Sequence, residues 1–324
     1  MRPSVTYRLA QNCADIVDLD LVSLRRFRSG VNAIRLPGAS EQYQPGGCRM
    51  STAIRTILHP TDFSDASANA FAHALRIALA ARARLYLVHV ASGSDDDIMD
   101  FPHVRETLAR WGLMNADEPP AAIEARVGVR VAKVDVAPQA PAEGVRRFLA
   151  DHPPDLMVLA TEARQGAARW LSGSVAEKLA RETTAPSLFV PAKARGFVDP
   201  LRGEVHLHRV LFPIDHAPLP AAAFGFVMGL ARLLADMDAE ERLLHVGKTP
   251  PRIARPNAPE RTLPVALRQG DAVEAILAEA RDWPADLIGM ATAGHRSVLD
   301  AMRGSTTERV LRQAPCPVLA VPAT

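Results

Sequence analysis

From residue 54 onward, short apolar runs alternate with longer stretches whose apolar residues recur at helical spacing. TILHP (56–60) is a run of the kind that fills a strand buried on both faces. The Ala-rich stretch 66–81 carries apolar residues at three- and four-residue intervals and predicts a helix. LYLVHV (85–90) predicts a second strand, followed by a polar insertion with one helix within 95–114. VGVRVAKVDV (127–136) alternates as a third strand, and 140–151 reads as a helix. DLMVLA (155–160) is a fourth strand, SGSVAEKLAR (172–181) a helix and SLFVP (187–191) a fifth strand.

The same succession then recurs. RVLFPID (209–215) parallels RTILHPTD, and ERLLHV (241–246) parallels ARLYLVHV. LPVALRQGDAVEAILAEA supplies a third strand and its helix. DLIGMA (286–291) parallels DLMVLA, and GSTTERVLRQAPCPVLAVP parallels GSVAEKLARETTAPSLFVP. Asp62 and Asp215 lie 153 positions apart, whereas Gly173 and Gly304 lie 131 apart. The 22-residue difference falls between the second and third strands, where the first copy carries its polar insertion. This order predicts an α/β fold: two tandem copies of a five-stranded parallel sheet, doubly wound with helices on both faces. The expected boundaries are 51–192 for the first domain, 193–207 for a linker containing Gly, Pro and charges, and 208–324 for the second domain. The edges SLFVP and CPVLAVP are expected to meet in an intramolecular pseudo-dimer, which covers both at once. Association of two such chains into a homodimer is left open.

Residues 1–50 break the pattern. They hold seven Arg against four Asp and Glu and show no sustained period, so they are expected to be mostly a disordered extension. Met50 is an alternative start, because the first domain opens almost at once after it; a basic interaction tail is the other reading. Outside this arm 31 basic residues face 32 acidic ones, so no broad basic surface for nucleic acid is expected. Aromatic residues are only 5% of the chain, which favours α/β layering over a β-sandwich. Cys13, Cys48 and Cys316 have no metal-ligand spacing and cannot build a disulfide framework, which fits a cytoplasmic setting. No run of about 18 apolar residues predicts a membrane span, and the N-terminus does not read as a secretory signal.

In an open parallel sheet, ligands lie beyond the carboxyl ends of the strands where strand order reverses. Two loops in each copy are expected there. One ends strand one, His59 to Ser64 in the first copy and Phe212 to His216 in the second. The other leads into the helix that opens with Gly173-Ser174 or Gly304-Ser305. A Gly-Ser pair at a helix start can offer backbone amides and a hydroxyl to phosphate, or can simply begin a helix. Asp62 and Asp215 can accept hydrogen bonds from a base or ribose, or can cap the following helix.

These residues resemble the universal stress protein family. The resemblance rests on PTDFSD, on LVHV at the end of strand two, and on GSTTERVLRQAPCPVLAV, and it covers about 54–192 and 208–323. It implies an adenine nucleotide alpha hydrolase-like fold and ATP as cofactor, with Mg2+ as an optional companion. Members that bind ATP carry Gly-x2-Gly-x9-Gly-(Ser/Thr) after strand four. The second copy keeps Gly294, Gly304 and Ser305, with Ala291 at the first glycine; the first copy has Ala160 and Ala163 before Gly173-Ser174. Glu162 adds a negative charge where phosphates would lie. The resemblance therefore implies adenine and ribose contacts at Pro213, Ile214, Asp215 and Val246. Phosphate contacts are implied at Gly294, Gly304, Ser305, Thr306 and Thr307. A weaker second site is implied at Asp62, Val90, Gly173 and Ser174.

His89 and His245 read as hydrogen-bonded structural residues rather than metal ligands. His206 and His208 alternate but are weak evidence for a metal, and 95–97 reads as a solvated acidic loop. Arg164, Arg169, His295 and Arg296 either pair with phosphates or face water. Cys316 reads as buried, and no catalytic arrangement and no metal site is found. The expected function is ATP-linked regulation of a stress response through an unidentified protein partner. A scaffold without nucleotide and an enzyme of a related fold are the alternatives.

Overall fold

A computed structural model of the chain describes residues 7–11, 16–17, 54–90, 102–136, 141–161, 179–180, 182–235, 239–255, 258–293 and 306–323. The sequence repeat reappears in it as repeated hydrogen bonding. Asp155, one residue before the fourth strand, accepts from the backbone N–H groups of Arg55 and Thr56 at 2.8 and 2.9 Å. Asp286 does the same for His208 and Arg209 at 2.8 and 3.0 Å. In each half one carboxylate thus ties the start of strand four to the start of strand one.

Two short strands, β1 (Tyr7–Gln11) and β2 (Ile16–Val17), precede the first repeat. The first half then runs β3 (Thr56–Pro60), α1 (Asp65–Ala81), β4 (Arg84–Val90), α2 (Val104–Arg110) and α3 (Ala122–Val127). It continues through β5 (Arg130–Val136), α4 (Pro141–Asp151), β6 (Leu156–Thr161) and β7 (Ser187–Pro191). The second half runs β8 (Arg209–Pro213), α5 (Ala221–Leu234), β9 (Glu240–Val246), a hairpin of β10 (Ala254–Arg255) and β11 (Ala258–Thr262), and β12 (Val265–Arg268). It closes with α6 (Ala272–Asp282), β13 (Leu287–Thr292), α7 (Thr306–Leu311) and β14 (Val318–Pro322). Of the helix expected at 172–181, only Leu179 and Ala180 fall among the described residues, and both are helical.

Within each half the strands are parallel in the order 3-2-1-4-5: β5-β4-β3-β6-β7, and β12-β9-β8-β13-β14. The two edges expected to meet do so: β14 pairs antiparallel with β7, with Val318 opposite Phe189 and Ala320 opposite Ser187. The halves thereby share one sheet of twelve described strands. The arm read as disordered differs from that expectation at two places. β1 pairs antiparallel with β5 from Tyr7 opposite Val136 to Gln11 opposite Ala132, and β2 pairs with β1. An uncovered edge strand offers a row of free N–H and C=O groups, and the arm satisfies those of β5. The rest of the arm lies outside the described residues.

The core forms two layers, one on each face of the sheet, and both run across the junction between the halves. One joins α1 (Ala70, Leu75, Ala78) to α5 (Ala223, Val227, Leu230) through Phe212 and Leu188. The other joins Phe148 on α4 to Ile276 and Leu277 on α6 and Val310 on α7. Ser64 caps α1, its side chain accepting from Ser67 N–H, and the helix ends at Arg82 in the left-handed region.

Three local features differ from the sequence reading. The insertion in the first half contains a second helix, α3, whose C-cap is Gly128 at φ 72°. The second half fills the same connection with the β10–β11 hairpin. The third feature lies in the 193–207 linker, which is packed against the first half. Phe197, Val198 and Leu207 are buried there. His73 on α1 accepts from the N–H groups of Phe197 and Val198 at 3.1 and 3.2 Å, and donates to Asn69 O at 2.9 Å. Trp111 Nε1 donates to Pro200 O at 3.2 Å. Gly203, at φ 70°, lies so close to the Trp111 ring that a Cβ would stand 2.4 Å from it.

Candidate functional site

The carboxyl end of strand one lies beside the carboxyl end of strand two in each half, and the two turns there use one scaffold with different chemistry. Thr61 N–H donates to Val88 O at 2.9 Å, and Ile214 N–H donates to Leu244 O at 2.8 Å. His89 Nδ1 donates to Thr61 O at 2.9 Å, and His245 Nδ1 donates to Ile214 O at 3.0 Å. Both strand-two histidines therefore hold a strand-one carbonyl, the structural role expected of them.

The first turn is closed by its own side chains. Asp62 Oδ1 accepts from Ser64 N–H at 3.2 Å and from Ser64 Oγ at 2.6 Å. Ser64, not Asp62, is the cap of α1, so the capping alternative for Asp62 is overturned; the aspartate instead orients the cap. Phe63, held at φ 61°, lays its ring against His89 with centroids 4.3 Å apart. Below it, Ser67 Oγ donates to Thr61 Oγ1 at 3.0 Å and lies 3.3 Å from His59 Nε2, while His59 Nδ1 donates to Val158 O at 2.9 Å. Burial lowers the His59 pKa to about 4 and keeps the ring neutral.

Among the described residues, no side chain closes the second turn. His59 and Thr61 are replaced by Phe212 and Ile214, both buried, so the floor is apolar. Asp215 is exposed, and among the described residues its Oδ1 accepts only locally, from His216 N–H at 2.7 Å. It does not cap α5 either: the cap position there is Pro220, with no side-chain hydrogen bond. Pro213 and Val246 are half-buried beside it. In the strand order of this half, the reversal falls between β8 and β13, which puts this turn at one lip of the switch point. On the other lip, Thr306 is exposed at the start of α7, whereas Thr307 is buried and faces the core. Gly294, Gly304 and Ser305 lie outside the described residues, as do Gly173 and Ser174. Val90 ends β4.

No metal ligand is expected from the sequence, but the structure gathers three suitable groups. Asp215, His216 and His245 each bring one ligand atom to within 4.8 Å of the others. His216 was not singled out from the sequence. The signal was an Asp-His pair after strand one together with a histidine at the end of strand two, which only parallel pairing of β8 and β9 brings together. Elsewhere, Cys316 is buried, and desolvation pushes its thiol up to about 12, so it is no nucleophile. A cleft of about 650 Å³ opens at the amino ends of the first-half strands, lined by Arg55, Arg82, Arg84, Arg130 and His152. It lies at the opposite end of the sheet from the switch points.

The model of the universal stress protein family matches residues 53–191 and 252–322, one segment in each half and together more than half of the chain. The chain belongs to the universal stress protein family. Among solved structures it is similar to a universal stress protein from Archaeoglobus fulgidus DSM 4304. The TM-score is 0.53 at 18% identity, covering 85% of this chain and 100% of that one. It is also similar to a functionally unknown protein from Pseudomonas aeruginosa PAO1, with TM-score 0.52 and 14% identity, covering 84% of this chain and 94% of that one. A shorter universal stress protein, solved in complex with cAMP, covers 44% of this chain and 99% of its own, at 20% identity and TM-score 0.29. No curated protein matches the chain. Among the described residues, no helix of this family member is long and apolar enough to cross a membrane.

Proposed function

We propose that this universal stress protein is a cytoplasmic regulatory protein that binds ATP in its second domain, 208–324, and that its first domain, 51–192, binds nucleotide weakly or not at all. The observation that carries this reading is the contrast between the two strand-one turns. Asp62 is committed to Ser64, and Phe63 covers the neighbouring histidine. Asp215 is exposed above an apolar floor of Ile214, with half-buried Val246 alongside. An apolar floor beside one exposed carboxylate suits a planar base and a ribose hydroxyl, since ligand sites combine apolar walls with a few placed polar groups. The glycine spacing supports the same side: Gly294, Gly304 and Ser305 keep most of the phosphate pattern, where Ala160 and Ala163 stand in the first domain.

In this role ATP is a ligand whose differential affinity for two states shifts a conformational or partner-binding equilibrium. The closed first turn favours a scaffold role for the first domain, working by protein contact. Titration of ATP into wild type and Gly304→Val tests the assignment. The valine side chain is expected to abolish binding in a variant whose melting curve shows it folded; equal affinities would sink the proposal.

A further inference from the structure

From the cluster at the ends of β8 and β9 we infer that Asp215, His216 and His245 form a site for a divalent transition cation of the zinc class. The geometry stands on three observations besides the proximity of the ligand atoms. First, each imidazole already donates one ring N–H to a backbone carbonyl. His216 uses Nε2 toward Thr249 O at 2.9 Å, and His245 uses Nδ1 toward Ile214 O at 3.0 Å. Such bonds fix the tautomer and turn the other nitrogen into a lone-pair donor, the outer support that metal-bound histidines carry. His216 Nδ1 and His245 Nε2 are the nitrogens left to bind.

Second, Gly247 leaves room for that nitrogen of His245. A Cβ at position 247 would stand 2.6 Å from His245 Nε2. Third, the first domain supplies an internal contrast. It keeps the aspartate and the histidine, Asp62 and His89, but has Phe63 where the second domain has His216 and Ala91 where it has Gly247. The first change removes a ligand, and the second adds a methyl group two positions after the histidine.

Two neutral imidazoles and one carboxylate suit a borderline cation such as Zn2+ or Co2+, whereas Mg2+ and Ca2+ prefer all-oxygen shells. Tetrahedral coordination at 2.0–2.1 Å puts ligand atoms roughly 3.3 Å apart. The exposed Asp215 and His216 would therefore close by at most about 1.5 Å on binding. Three protein ligands leave a position open for water or for an oxygen of a second ligand. The inference is independent of the nucleotide reading, although Asp215 takes part in both.

The test is a calorimetric titration of chelator-treated, nucleotide-free full-length protein with Zn2+, with Co2+ visible absorption as a second readout. Wild type is expected to take up one equivalent, and Mg2+ is expected not to compete. His216→Phe and Gly247→Ala should each weaken binding by more than the ~10–100-fold that loss of an outer partner costs. His206→Ala/His208→Ala and Gly304→Val should titrate like wild type, which separates this site from surface histidines and from the phosphate region. Thermal melts of both variants are recorded alongside, so that a lost signal in a folded variant reports binding. Absence of saturable Zn2+ binding in wild type, or equal affinity in His216→Phe and Gly247→Ala, would overturn the inference.

Discussion

His73 shows how much one side chain can decide in this molecule. Its Nε2 is the acceptor for two buried backbone N–H groups, those of Phe197 and Val198, and its ring packs edge-on against Phe197 at 4.6 Å. Replacing His73 by Ala orphans both donors at about 1–3 kcal/mol each. Urea unfolding of His73→Ala is expected to show a loss of about 2–6 kcal/mol, with faster proteolysis within 193–207; unchanged stability would contradict the packing described. Burial lowers the pKa of His73, like that of His59, from 6.5 to about 4. Between those values the unfolded chain binds the protons that the folded chain refuses. Stability is therefore fully present above pH 6.5 and falls as the pH drops toward 4. The two histidines together should remove about 3–4 kcal/mol between pH 7 and pH 5, and a flat profile over that range would refute their buried neutral state.

At the level of elements, the outer edge of the second half is braced by charge. Glu279 on α6 is buried and accepts from Arg242 on β9 at 2.7 Å and from Arg268 on β12. The Arg242 guanidinium also lies 4.3 Å over the Trp283 ring. Breaking a buried pair by removing one partner costs about 3–5 kcal/mol. Here the low end is expected for Glu279→Ala, because both arginines are partly exposed and can rehydrate. A change within about 0.5 kcal/mol, the range of an ordinary surface substitution, would show the brace to be idle.

The elements also show what was legible in the sequence. TILHP and SLFVP are strands over the residues their pattern predicts, since strands buried on both faces read as unbroken apolar runs. The second insertion helix and the β10–β11 hairpin were not predicted. AIEARV is short, and APERT lacks the alternation that marks a strand, so neighbouring structure decides both. The packed connector was hidden for a related reason: its Gly, Pro and charges read as a linker, and its anchor, His73, lies more than a hundred residues earlier. At the candidate site, Asp215 and His245 were visible as residues, but their meeting with His216 depends on strand pairing.

For the whole molecule, the duplication has become one continuous sheet with two unequal strand-one turns. Pairing of β7 with β14 and the shared core layers place the halves back to back about a local two-fold arrangement. The repeat is close in its scaffold: the same aspartates tie strand one to strand four, and the same histidines hold the turn. It has diverged at the turn tips, where Phe63 faces His216 and Thr61 faces Ile214 in the alignment. That divergence underlies the proposal that the second half binds ATP and the first binds it weakly or not at all. Native mass spectrometry of the full chain with ATP, alongside Gly304→Val and Gly173→Val, addresses it most directly. One ATP per chain, lost in Gly304→Val and kept in Gly173→Val, is the predicted result. Two ATP per chain, or loss in Gly173→Val alone, would contradict it.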